Sequence, residues 1–174
     1  MKHGILAAAL LLASATLVAA EKGPRAARAG LKDAQGKAVA TAKLKQLKNG
    51  VRISLAATGL PAGVHAFLIH AMGKCEAPDF KSAGGHFNPE GKKHGLKNPE
   101  GPHAGDMPNI TVDAKGKGKA TVVNARVTLG EGTNSLFHEG GTAIVIHEKA
   151  DDDMTDPAGN AGNRIACGVV EKAQ

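Results

Sequence analysis

The sequence contains no tryptophan, no tyrosine and only four phenylalanines among its 174 residues. Proteins that bind single-stranded nucleic acid stack the bases on aromatic side chains, so this composition argues against a nucleic-acid partner. The net charge of +6 could favour nucleic acid, an anionic lipid or a small anion. Because aromatic residues are so scarce, we expect a small anion or plain solubility to account for the charge.

Long apolar runs are also scarce, and the only clear one lies at the start of the chain. Residues 5–17 are apolar or small, follow a short basic start, and precede a small-residue cleavage site at Ala20. This run is shorter than the roughly 20 residues that a membrane-spanning helix needs. We therefore predict a signal peptide over residues 1–20, one domain over residues 21–174, a periplasmic or secreted location, and no membrane partner after cleavage.

Cysteine is limited to Cys75 and Cys167. In an exported protein disulfides persist, so we expect these two residues to be bonded. The alternative is a pair of buried free thiols.

The mature chain has almost no apolar period of 3.6 residues, which argues against helices and predicts an all-β fold. Residues 37–46 and 51–58 are strand candidates on either side of Asn49-Gly50, a strong hairpin signal. A second hairpin is predicted over residues 110–129, with its turn at Lys115–Lys119. The remaining strand candidates are residues 64–70, 142–149 and 164–170.

Two segments are long, irregular and rich in glycine and proline: residues 71–107 and residues 151–163. Loops of this length in compact domains are usually functional or disordered. The first one contains neutral imidazoles and a carboxylate, the ligand types of a closed tetrahedral zinc site. These candidate ligands are His86, His94, His103 and Asp106. A zinc ion held by four protein ligands would be structural and would order the loop.

His70 and His147 close two of the predicted strands. Side chains at strand ends of a rigid sheet can hold a metal with an open coordination position. Taken singly, each is better explained as an ordinary strand-end histidine. These two residues alone therefore do not establish a second metal site.

Five separated motifs carry a resemblance to a known family: "SAGGHFNP", "KKHG", "HAGD", "VIHEKADD" and "GNAGNRIACGVV". Together they resemble the copper/zinc superoxide dismutase family over essentially the whole mature chain, in the order that the family has them. The resemblance implies a flattened eight-stranded Greek-key β-barrel, similar to an immunoglobulin-like sandwich, with two long functional loops.

The resemblance also implies two metals. The zinc ligands would be His86, His94, His103 and Asp106. The copper ligands would be His70, His86 and His147, with His86 bridging the two metals through its two ring nitrogens.

Further roles follow from the same resemblance. Arg164 matches an arginine that guides the superoxide anion to copper, and Asp151 matches a carboxylate that links a zinc histidine, here His94, to a copper histidine. The family's disulfide matches Cys75 and Cys167.

One family residue is missing, because the strand that should contain two copper histidines ends in Leu68-Ile69-His70. Leucine cannot bind a metal. His65 should point to the opposite face of the strand and matches a structural histidine of the family. The thioether of Met72 suits Cu(I), but Met72 lies beyond the strand end.

The sequence therefore predicts a superoxide dismutase family protein whose copper site is weakened and whose activity is impaired by Leu68. Two alternatives remain: a catalytically silent zinc-binding relative and a periplasmic copper-binding protein. The absence of a Cys-x-x-Cys pair argues against the last. The expected small-molecule partner is superoxide, and a homodimer is left open.

Overall fold

The computed structural model describes residues 23–173, so the predicted signal peptide over residues 1–20 lies outside the described residues. These residues form strands and one short 3-10 helix, at Lys81–Ala83, which confirms the all-β prediction. The strands are β1 Ala26–Lys32, β2 Ala38–Leu47, β3 Gly50–Ala57, β4 Gly63–His65, β5 Phe67–His70, β6 Ile110–Val112, β7 Gly118–Asn124, β8 Ala143–His147, β9 Arg164–Val169 and β10 Glu171–Lys172.

Eight of the strands form one antiparallel sheet in the order β5-β8-β9-β1-β2-β3-β7, with β10 added beside β1. The sheet curls so that its two halves share one core. Phe67, Ile69 and Ile146 from one half belong to the same buried cluster as Leu44 and Ile53 from the other. Side chains on alternate positions of each strand fill this core, and the predicted flattened barrel is confirmed.

The hairpin predicted at Asn49-Gly50 is present, with its turn one residue earlier than expected. Leu47 pairs with Gly50, so Lys48 and Asn49 form the two-residue loop. Gly50 adopts φ 128°, a backbone conformation that favours glycine.

Two other strand predictions are wrong in detail. Residues 64–70 form two strands instead of one, since β4 pairs with β6 in a separate small sheet while β5 pairs with β8. The segment 110–129 has a turn, at 113–117, but its strands pair with different partners: β6 with β4 and β7 with β3. Strand β1 was not predicted, because its alternating small residues give a weak pattern.

The outer face of β5 and β8 positions the metal-ligand candidates. Phe67 and Ile69 point into the core, so Leu68 and His70 point outward on the same strand. The segments 71–109 and 148–163 cover this face, and all four residues of β5 are buried. The predicted disulfide between Cys75 and Cys167 is confirmed and ties the first segment to β9. No stretch of helix within residues 23–173 is long and apolar enough to cross a membrane.

Candidate metal centre

Three histidines meet on the outer face of the sheet. His70 ends β5 and His147 ends β8, and both side chains are buried. His86 arrives from the first long segment, where its backbone forms an isolated antiparallel bridge with His70. One ring nitrogen from each residue lies within 4.8 Å of the other two.

Hydrogen bonds to carbonyl groups orient the two strand histidines. Nδ1 of His70 donates to the carbonyl oxygen of Gly84 over 2.9 Å, and Nδ1 of His147 donates to that of Gly162 over 3.2 Å. Both Nε2 atoms therefore carry lone pairs, and they face each other at 3.3 Å. Two facing lone pairs repel, so a cation between them would stabilise this arrangement.

These histidines are in the uncharged form that a metal requires. Burial lowers the pKa of His70 well below its ordinary value, and the nearby His86 adds to the effect. Burial likewise lowers the pKa of His147 to about 4 and lowers the pKa of His86. Neutral imidazoles expose a lone pair to the metal without first losing a proton.

A second group lies on the other side of the His86 ring. It combines Nδ1 atoms of three histidines with Oδ1 of an aspartate, from His86, His94, His103 and Asp106. Five of the six distances between these atoms lie between 3.1 Å, for His94 to Asp106, and 3.4 Å, for His103 to Asp106. A tetrahedron with zinc–ligand bonds of about 2.0 Å has edges of about 3.3 Å. The four residues thus fit a tetrahedral zinc ion.

Asp106 is held in its ionised form. Burial by itself would raise the pKa of this carboxyl group, but hydrogen bonds with His103, His86 and His94 hold the pKa well below its ordinary range. Its other oxygen accepts the backbone N–H groups of Gly95 and His103 at 2.9 Å. These bonds fix the carboxylate on the loop that carries the histidines.

His94 is in contact with two carboxylates. Burial lowers the pKa of this histidine, but Asp106 and Asp151 outweigh that effect and raise it to about 10. Nε2 of His94 donates to Oδ1 of Asp151 over 2.9 Å. The structure thus brings Asp151, from the second long segment, against the candidate zinc group.

His86 belongs to both groups. Its Nδ1 faces the His94, His103 and Asp106 atoms, while its Nε2 is buried and has no hydrogen-bond partner among the described residues. A buried imidazole nitrogen without a partner is costly. Its position with the Nε2 atoms of His70 and His147 fits a metal that would satisfy all three.

Arg164 begins β9 directly opposite His147. Its guanidinium group donates to the carbonyl oxygens of Phe80 at 2.7 Å and Gly84 at 2.6 Å. Gly84 is also the acceptor for His70, so one carbonyl group positions both the arginine and a candidate copper ligand. The arginine side chain is fixed as a positive charge beside the three histidines.

Leu68 lies two residues before His70 on the same face and is fully buried. It packs with Ala66 and Ala161 in a small apolar cluster that is separate from the main core. Its neighbour across the sheet is Val145, which makes His147 a diagonal neighbour. His65 is not available as a metal ligand, since its ring nitrogens face the carbonyl oxygens of His147 and Pro61.

Three residues that support the site were not predicted. Arg126 donates to the carbonyl oxygens of His103, at 3.2 Å, and Asp106, at 2.6 Å. Asp156 accepts the backbone N–H of His94, and the side chain of Asn109 forms two hydrogen bonds with the backbone of Asp151. These contacts join segments far apart in the chain, and no spacing in the sequence signals them.

A family model for copper/zinc superoxide dismutase matches residues 35–170 of this chain. Copper-zinc superoxide dismutase 2 of Aquifex aeolicus is 56% identical over 169 residues, which cover 96% of each chain. Copper-zinc superoxide dismutase 1 of the same organism is 60% identical over 139 residues, which cover 79% of this chain and 82% of the relative.

A solved structure from the same family is also similar to this chain. A superoxide dismutase-like protein from Bacillus subtilis, solved as a double mutant in which a tyrosine and a proline are replaced by histidine, superposes with a TM-score of 0.78. It is 43% identical, and the match covers 82% of this chain and 95% of that one.

Proposed function

Because this chain belongs to the copper/zinc superoxide dismutase family, we propose that it removes superoxide at a copper site held by three histidines. These are His70, His86 and His147. We also propose that the site turns over more slowly than it would with histidine at position 68. The expected location is the periplasm or the outside of the cell, as the predicted signal peptide indicates.

The observation that carries this proposal is the convergence of three buried ring nitrogens. Nε2 of His70 faces Nε2 of His147 at 3.3 Å, and Nε2 of His86 has no protein partner among the described residues. An imidazole set of this kind suits copper. Bound copper would supply the one-electron transfers that convert two superoxide anions into oxygen and hydrogen peroxide.

The protein's own residues supply the rest of the chemistry. Arg164 places a positive charge beside the histidines, which would attract superoxide and orient it. Nε2 of His86 is buried and has no hydrogen-bond partner among the described residues, so whenever it is not bound to a metal it can hold one of the protons that the reduced product requires. The group around Asp106 would hold zinc as a structural ion, since zinc has no redox chemistry.

A catalytically silent zinc-binding protein is the second candidate, and the packing of Leu68 favours it. Leu68 is fully buried against Ala66 and Ala161, so this position is filled by apolar contacts. Copper would have one protein ligand fewer than in the family, which weakens binding. The zinc group is unaffected, because all four of its residues are present.

The test is to load the zinc-bound protein with one copper ion per chain and follow superoxide removal by stopped flow. His70→Ala and His147→Ala should each lose copper and activity while zinc content stays the same. His138→Gln, which changes a histidine outside both groups, is the control and should keep both. If the unchanged protein takes up no copper and removes superoxide no faster than buffer, the silent zinc-binding function is correct.

A further inference from the structure

A strongly basic surface covers the side of the barrel away from the candidate metal centre. It is the outward face of four adjacent strands, β1, β2, β3 and β7, none of which contains aspartate or glutamate. We call it the basic face. Its exposed cationic residues are Arg28, Lys32, Lys43, Lys45, Arg52 and Lys119.

Strand register places several of these charges directly opposite one another. Arg28 pairs with Lys43 across β1 and β2, and Lys45 pairs with Arg52 across β2 and β3. Like charges opposite each other in a sheet are destabilising. None of the six residues forms an ion pair within the described part of the chain, whereas Lys92 and Lys93, on the first long loop, are both paired with glutamates.

The usual reasons for surface lysines do not explain this arrangement. Lysine on an edge strand prevents edge-to-edge aggregation, but β2 and β3 have strand partners on both sides. Solubility needs interspersed charges of both signs, and this chain shows that pattern on its loops. Lys43, Lys45 and Arg52 lie on these central strands and form no ion pair among the described residues, which fits a partner that supplies the negative charge. Arg28 differs, because it also lies opposite Glu171 of β10.

The basic face is also rigid and separate from the metal centre. Inward residues of the same strands, such as Leu44, Ile53 and Leu55, form the core. The outward residues are therefore held at the regular spacing of a sheet, over four strands about 4.8 Å apart. The histidine groups lie on the outer face of the other half of the barrel, so a partner on the basic face would leave them accessible.

We propose that the basic face binds the surface of a membrane that carries anionic phosphate headgroups. Lysine and arginine side chains near such a surface each contribute to attraction, and the attraction weakens over the Debye length. A broad sheet face can bring all six cations to a bilayer at once. Val123, which is 45% exposed and pairs with Arg52, adds an apolar contact at headgroup level.

Nucleic acid fits the same face less well. No aromatic residue lies on the outward positions of these strands to stack on a base. A duplex is narrow and rounded, so it would meet fewer of the six cations than a bilayer would. The sequence alone predicted no membrane partner after cleavage, because it gives only the net charge. The arrangement of the charges on one sheet face is what favours a membrane surface.

The experiment measures co-sedimentation of the exported, zinc-loaded protein with vesicles of phosphatidylglycerol and phosphatidylcholine, compared with vesicles of phosphatidylcholine alone. The test variant combines Lys43→Gln, Lys45→Gln and Arg52→Gln. The matched control combines Lys74→Gln, Lys92→Gln and Lys149→Gln, which removes the same charge from exposed positions on the loops. Zinc content and melting temperature verify folding in both.

We expect the unchanged protein to bind only the anionic vesicles, and the test variant to bind at least about tenfold more weakly. The control variant should bind like the unchanged protein. Equal weakening of both variants would mean that only net charge matters and would overturn the proposal. No binding at low salt, or tighter binding to duplex DNA than to the vesicles at the same salt, would also overturn it. If the triple variant does not fold, Lys43→Gln and Lys45→Gln singly provide the same comparison.

Discussion

His94 and Asp151 join the two long segments of this protein through one buried hydrogen bond. Nε2 of His94 donates to Oδ1 of Asp151 over 2.9 Å, while Nδ1 of the same ring faces Asp106 at 3.1 Å. Asp151 thus fixes the orientation of His94, because the donated proton leaves Nδ1 as the atom that faces the candidate zinc group. A carboxylate in this position also makes the imidazole a stronger ligand.

Replacing Asp151 by asparagine should weaken zinc binding about 10- to 100-fold, the usual cost of losing such a carboxylate. Asparagine has the same shape as aspartate and can still accept the hydrogen bond from His94. A loss of zinc affinity would therefore result from the missing negative charge. Competition with a fluorescent chelator measures the affinity. Glu100→Gln removes a carboxylate from the exposed surface of the same loop, where it pairs with Lys93, and should have no effect. Equal zinc affinity in both variants would contradict the role of Asp151.

Zinc affinity should rise with pH. Because Asp106 and Asp151 raise the pKa of His94 to about 10, the ring of the metal-free protein keeps an additional proton below that pH. Zinc must displace this proton, so the affinity should increase by about tenfold per pH unit between pH 7 and 9. In Asp151→Asn the zinc affinity should depend less on pH. A zinc affinity that stays constant over this range would show that no proton is displaced.

Copper binding should behave differently, because burial keeps His147 neutral, with a pKa of about 4. This comparison gives the pH experiment an internal control: copper affinity should change little between pH 7 and 9.

Removal of the disulfide by Cys75→Ser should lower the free energy of unfolding by roughly 4 kcal/mol, since the bridge closes a large loop. The two cysteines are 92 residues apart in sequence. The variant should unfold at a lower urea concentration, and reduction of the unchanged protein should give the same shift. Thiol titration of the unfolded, unreduced protein should find no free cysteine. Two free thiols would contradict the pairing.

Leu68→His should raise copper affinity by at least about tenfold and increase superoxide removal per bound copper. The new imidazole would lie on the same face as His70 and diagonal to His147, where it could serve as a fourth histidine ligand to copper. Zinc content should not change. Leu68→Met, which keeps an apolar side chain of similar size, is the control for repacking against Ala66 and Ala161. Equal turnover per copper in the unchanged protein and Leu68→His would show that the leucine does not impair the chemistry.

Much of the fold and of the candidate site follows from local sequence patterns. Alternating apolar residues and the Asn49-Gly50 turn predict strands, because these signals depend only on neighbouring residues. The candidate zinc residues are close together in the chain, between His86 and Asp106, so their spacing alone indicates a common site. The disulfide follows from there being two cysteines in a chain with a predicted export signal.

Local sequence patterns do not predict the contacts between distant segments. The break between β4 and β5 depends on which strands lie beside them, since each pairs with a different partner. The support that Arg126 gives to the carbonyl groups of His103 and Asp106 is not visible in any motif, because side chain to backbone contacts carry no sequence pattern.

Position 68 and the basic face show the difference between what can be read from the sequence and what depends on the fold. The sequence shows that the chain is basic and that position 68 is a leucine, where the family resemblance implies a histidine. The burial of this leucine against Ala66 and Ala161 depends on the fold, because residues far apart in the chain form the cluster. The fold likewise brings the cations of four strands to one face, because strand register sets which charges become neighbours.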